Sequence, residues 1–215
     1  MTAERQERNG RWSGKAGRPG IALIAGLAVL SLLGIAGPAG LPQAQASTTE
    51  RVVVNRFSGL AIEGFDPVMS RQQRLDYHDT AINRAAVAPY VDRLLAAEAI
   101  VFVFPVWNYG FPAILKGFVD KVFLPGVSFN LKDDGSYVPC LHNIKRLGAV
   151  CTYGGTRWTT FLMGDPPRRF LKRSMRLNCA PGARCDYLAG YDMDHTTPER
   201  RVRFLKAVER KFATW

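Results

Sequence analysis

Ile100-Val101-Phe102-Val103-Phe104-Pro105-Val106-Trp107-Asn108-Tyr109-Gly110-Phe111-Pro112-Ala113-Ile114-Leu115-Lys116-Gly117 decides how the rest of the chain is read. It opens on apolar β-formers without alternation, the pattern of a strand covered on both faces. Periodicity alone does not separate such a run from a buried helix, but its shortness and its stop at Pro105 favour a strand. Pro105 ends sheet pairing, a loop with two aromatics and Gly110 follows, and Pro112 suits the first turn of a helix. In that helix Ile114, Leu115, Phe118 and Val122 share one face. Strand, loop and helix make half of a βαβ unit. Open α/β sheets bind ligands outside the carboxyl ends of their strands, so Val106 to Phe111 lies where a planar cofactor would rest.

Phe104 to Gly117, followed by Asp120-Lys121-Val122-Phe123, resembles the NAD(P)H:quinone oxidoreductase family of flavodoxin-like flavoproteins. The resemblance implies an α/β fold, a flavodoxin-like three-layer sandwich with a parallel sheet. It also implies that the loop Pro105, Val106, Trp107, Asn108 and Tyr109 supplies backbone groups and an aromatic to a flavin, FAD or FMN.

Downstream, Leu124 to Phe129 forms a turn and an aromatic-lined segment, and Asp133 to Ser136 another turn. Arg146 to Tyr153 reads as the next buried strand and ends in Gly154-Gly155, where missing side chains let backbone approach a ligand. In the resembled family a Thr-Thr-Gly-like loop here bonds the flavin pyrimidine edge. Thr152, Tyr153 and Gly154 match it, while Cys151 replaces the first threonine and removes one hydroxyl. Met163 stands where mammalian-type members carry a histidine, so their proton relay does not transfer, and no catalytic residue is assigned. Asp165 is expected to cap, and Pro166 to open, a helix bearing Arg168, Arg169, Lys172, Arg173 and Arg176. Such a basic run is expected to be a solvated face, with a nicotinamide-phosphate or lipid contact as the other reading. Tyr187 to Tyr191 fits the last strand, and Thr197-Pro198-Glu199 starts a closing helix with Phe204, Leu205, Val208 and Phe212 inward.

Upstream, Pro89 opens a helix with Val91, Leu94 and Leu95 inward, and Val52 to Val54 suits the second strand. His78 reads as an exposed loop histidine. Residues 1 to 47 form a signal-like or membrane-anchor-like segment: a basic leader, the uncharged run Ile21 to Ala36, and Ala44-Gln45-Ala46 as a cleavage site. Uncleaved, residues 21–36 would approach the roughly 17 to 25 apolar residues of a membrane span and allow membrane contact. The oxidoreductase domain is then 48–215, lacking the family's first strand and phosphate loop. That strand is central in the 2-1-3-4-5 order. Three readings follow: the apolar run supplies a substitute strand, Val52 to Val54 shift into the gap, or the start of the reading frame does not represent the native protein.

The chain's 215 residues allow one domain plus an appendage, and its net charge of +11 is spread over several segments. No nucleic-acid-binding motif accompanies that charge. The four cysteines, Cys140, Cys151, Cys179 and Cys185, contain no Cys-x-x-Cys pair, and the three histidines stand at no ligand spacing to them, so no metal is expected. Free thiols suit a reducing cytoplasm, the compartment the resemblance implies, whereas export would allow a Cys179 to Cys185 disulfide. The implied activity is a two-electron hydride transfer from NAD(P)H through the flavin to a quinone or similar acceptor, in a homodimer. An electron carrier and a non-catalytic relative with impaired flavin binding are the alternatives.

Overall fold

The computed structural model describes residues 20–24, 52–55, 60 and 63–215. A five-stranded parallel sheet is built from β1 (Gly20–Ile24), β2 (Val52–Asn55), β3 (Ala97–Pro105), β6 (Arg146–Thr152) and β7 (Arg184–Gly190) in the order β2-β1-β3-β6-β7. A separate antiparallel hairpin, β4 (Phe129–Leu131) with β5 (Tyr137–Pro139), is joined through the turn at Asp133 to Ser136.

The strand that the sequence reading counts as missing is present in this sheet. Gly20–Ile24, at the start of the apolar run, pairs with β2 on one side and with β3 on the other. The sheet therefore has the 2-1-3-4-5 order with its centre filled, the first of the three readings left open. The remainder of the run, 25–36, lies outside the described residues, as does the cleavage motif. Among the described residues no helix is long and apolar enough to cross a membrane.

Every residue of β3 except Glu98 is buried, because both faces are covered. The first helix, α1 (Arg71–Leu75), is short and has no buried residue. Ile100, Phe102 and Phe104 join the larger core with α2 (Ala88–Leu95) and α3 (Ala113–Val122), while Val101 and Val103 meet Val150 and the apolar side of α6 (Pro198–Phe212). Thr197 caps α6 by accepting from the Arg200 amide. Phe204, Leu205, Val208 and Phe212 face the sheet as expected. Leu95 does not: it is 40% exposed, because α2 ends there and the turn to β3 is held by the Asn143 amide, which donates to the carbonyls of Leu94, Leu95 and Ala97.

Two residues of the long motif have packing roles. A Cβ on Gly117 would stand 2.3 Å from the Pro67 carbonyl oxygen, so only glycine lets α3 lie this close to the 65–68 segment. Lys121 is buried, and its ammonium donates to the carbonyls of Asp66 at 2.7 Å and Val68 at 2.9 Å, with the Asp66 carboxylate 3.7 Å away. A buried charge persists only when its donors are satisfied, and here backbone carbonyls do most of that. All four cysteines are free thiols.

Candidate functional site

The carboxyl ends of three strands are held level, with Pro105 paired to Thr152 and Thr152 to Gly190. Beyond the strands the loops are stitched together. The Val106 amide donates to the Thr152 carbonyl at 2.8 Å, Tyr153 to Gly190 at 2.8 Å, Asp192 to Gly155 at 2.9 Å and Met193 to Tyr153 at 3.0 Å. After β3 the chain makes a two-residue turn in which Trp107 and Gly110 exchange backbone hydrogen bonds. Asn108 and Tyr109 at its tip have φ of 47° and 56°. Positive φ at both central residues is the type I′ pattern, uncommon for a tyrosine, and such backbone is concentrated at ligand sites.

The two loops predicted from the sequence meet here. A Cβ on Gly155 would lie 3.1 Å from the Tyr109 hydroxyl and equally close to the Thr159 hydroxyl, so the Tyr109 side chain reaches over the second loop. Gly154 is covered instead by Asp194, whose Oδ2 is 2.8 Å from the corresponding Cβ position. Among the described residues, the backbone N–H groups of Asn108, Tyr109, Gly154 and Gly155 donate to no protein acceptor. Unused amides on two touching loops, beside Trp107, itself 57% exposed, suit a planar ligand with several acceptors on its edge. On this observation the loops fit a flavin ring. The loop that follows β1, where a phosphate would be held, lies outside the described residues.

Not all the predicted residues present side chains to that surface. Pro105 and Thr152 are buried and contribute backbone only; Val106 is half-buried against the core. Tyr153 is turned inward. Its ring stacks on Tyr191 at 5.0 Å, and its hydroxyl lies 2.5 Å from Asp165 Oδ1 and 2.6 Å from the Tyr187 hydroxyl. Burial pushes the Tyr153 and Tyr187 phenols far above their ordinary range and the Cys151 thiol up to about 12, so all three are neutral at physiological pH.

Asp165 does not cap the helix that follows it. Its backbone is left-handed, φ 44°, and its carboxylate is directed to Tyr153 and to Arg168 at 2.7 Å, a stronger set of partners than two proline nitrogens without hydrogens. That helix, α5 (Pro166–Arg169), continues as a π-helical turn over Phe170–Met175. Arg168 also donates to the Tyr191 hydroxyl at 2.7 Å and lies over the Tyr187 ring at 4.7 Å. Its sequence position among basic residues gave no sign of this, since the partners are 19 and more residues downstream. His78 is exposed, as expected.

Between the second loop and Asp165 stands α4 (Arg157–Leu162), capped by Thr156, whose hydroxyl accepts from the Thr159 amide. Trp158 and Phe161 stack on each other and are exposed together with Leu162 and Met163.

Strand order, level strand ends and paired loops define an open, doubly wound α/β protein. The chain belongs to the family described as having a flavodoxin-like fold, whose sequence profile matches residues 43–176. It is 29% identical over 126 residues to the FMN-dependent NADH:quinone oxidoreductase 2 of Listeria monocytogenes, a match spanning 57% of this chain and 58% of that relative. Thus less than two thirds of the relative's length is covered. Its fold is similar to that of Smu.1420 from Streptococcus mutans UA159, with a TM-score of 0.66 and 20% identity over 88% of this chain and 95% of the other. It is also similar to an NAD(P)H:quinone oxidoreductase from Methanothermobacter marburgensis, with a TM-score of 0.56 and 19% identity over 70% and 77%.

Proposed function

We propose that this chain is an NAD(P)H-dependent flavin oxidoreductase that passes two electrons to a quinone-like acceptor. The observation that carries the reading is the cluster of four unused amides on two interlocked loops, at the carboxyl ends of β3 and β6. The bound flavin would supply the hydride chemistry. FMN is the form named for the Listeria relative. Asn108, Tyr109, Gly154 and Gly155 would orient the ring edge through their amides, and fixed dipoles of this kind favour negative charge on that edge. Trp107 and Tyr109 would wall the acceptor side. Tyr153, Tyr187 and Cys151 beneath the loop are neutral, and their hydrogen bonds, Tyr153 to Tyr187 and Cys151 to the Leu188 carbonyl, would help to hold it in place.

A homodimer fits this reading, because the exposed Trp158, Leu162 and Met163 lie on and just after the helix that follows the second loop, where a second copy would enclose the acceptor.

The test is purification of the full chain with added FMN or FAD, followed by NADH and NADPH oxidation with a benzoquinone. The expected result is a yellow protein with steady-state turnover, and a large loss of both in Trp107→Ala and Tyr109→Ala but not in the exposed control Leu177→Ala. Flavin held without turnover would leave an electron carrier, and no flavin at all would overturn the reading.

A further inference from the structure

Two clefts open on either side of Arg157, both walled by Tyr191: one of about 260 Å³ between α4 and α5, and one of about 400 Å³ reaching to the start of α6. The smaller is lined by Arg157, Arg168 and Arg169, against a single carboxylate, Asp165, already engaged by Arg168 and Tyr153. Among the described residues neither Arg157 nor Arg169 has an ion pair or a side-chain hydrogen bond. Three guanidiniums around one carboxylate repel one another, and an incoming anion would relieve that repulsion.

The local backbone is arranged to keep them there. Gly164, at φ +79°, and Asp165 turn α4 into α5, and the absence of a side chain at Gly164 admits the Arg169 guanidinium, whose Nη1 lies 3.4 Å from the missing Cβ position. Thr160 lines the same cleft, 1% exposed, with a buried hydroxyl that has no hydrogen-bond partner among the described residues. Phe161 adds an aromatic surface, 69% exposed.

We propose that the cleft between α4 and α5 binds the adenosine 2′-phosphate of NADPH, with Arg157 and Arg169 selecting NADPH over NADH. The inference rests on the reading that the chain takes its hydride from a pyridine nucleotide. Two unpaired guanidiniums match the charge of a phosphate monoester, and their planar forks bind its oxygens in pairs. Arginine is the residue that accommodates this group in dinucleotide sites generally. A planar wall beside the phosphate suits adenine. Arg157 opens α4 three residues beyond Gly154, so the cleft adjoins the second loop.

The experiment is calorimetric titration of the purified full chain with 2′,5′-ADP, 5′-AMP and inorganic phosphate, repeated on Arg157→Ala, Arg169→Ala and the double variant. Melting temperatures confirm that each is folded. The inference expects 2′,5′-ADP to bind at least about tenfold more tightly than 5′-AMP, as charge-assisted hydrogen bonds to one phosphate imply. The double variant should bring that ratio to about one. Equal affinities in the unaltered chain, or a preference that survives both substitutions, would overturn it. So would inorganic phosphate binding as tightly as 2′,5′-ADP, which would mark a plain oxyanion site. None of these titrations needs flavin. Arginine-dependent binding in a flavin-free protein would therefore sustain the nucleotide site while the oxidoreductase reading failed, and turnover indifferent to the 2′-phosphate would do the reverse.

Discussion

The Tyr109 hydroxyl stands 3.1 Å from the point that a Cβ on Gly155 would occupy, so the tip of the first loop rests on the backbone of the second. A branched side chain at Gly155 must displace either Tyr109 or Thr159. Gly155→Val is expected to abolish flavin retention in a chain that still folds, measured by flavin absorbance after gel filtration alongside circular dichroism. At Gly154 the obstacle is only the exposed carboxylate of Asp194, which can swing aside. Gly154→Ala should therefore leave the fold intact and weaken flavin binding less than Gly155→Val; the reverse order would place the ring on the other side of the loop.

Gly117→Ala is expected to cost about 3 kcal/mol, the upper part of the range for overpacking, since its Cβ would collide with Pro67 backbone as well as side chain. Lys121→Met removes the donor from two carbonyls and should cost about 1 to 3 kcal/mol. Urea unfolding of both variants checks these values. A neutral Gly117→Ala would show that the 65–68 segment does not dock on α3.

Tyr153→Phe takes one hydroxyl from the buried set formed with Asp165 and Tyr187. The expected loss is about 1 to 3 kcal/mol in chemical denaturation, with the oxidoreductase turnover per bound flavin unchanged because the hydroxyl faces the core. A turnover that falls with full flavin occupancy would mean that this phenol exchanges protons with the site.

Burial pushes the thiols of Cys151 and Cys179 up to about 12 from an ordinary 9.0. Below pH 9.0 folded and unfolded thiols are both protonated and contribute no pH dependence. From there toward about pH 12 the unfolded thiols ionise while the folded ones do not, so stability falls as pH rises. Denaturant midpoints measured across that range should decline, and less steeply in Cys151→Ala. At pH 8 a thiol reagent should label the half-buried Cys140 in the native protein and reach Cys151 and Cys179 only after unfolding.

The stretch from Ile100 to Gly117 determined by itself the strand, its end at Pro105 and the helix from Ala113. These follow from short-range chemistry: β-formers without alternation, proline's missing N–H and an apolar stripe at helical spacing. The closing helix was legible for the same reason, from Thr197 at its cap to Phe212 on its inner face. Only the tertiary structure placed Gly20–Ile24 between β2 and β3, because a five-residue apolar segment inside a longer run has no local mark of the partners it will pair with. It also decided that Tyr153 faces the core while Tyr109 reaches over Gly155, that Asp165 serves Tyr153 and Arg168 rather than a helix end, and that Arg157 and Arg169 share a cleft. Each of these depends on which groups distant in sequence arrive at hydrogen-bond or Coulomb range, and that is set by strand register and backbone φ rather than by residue type.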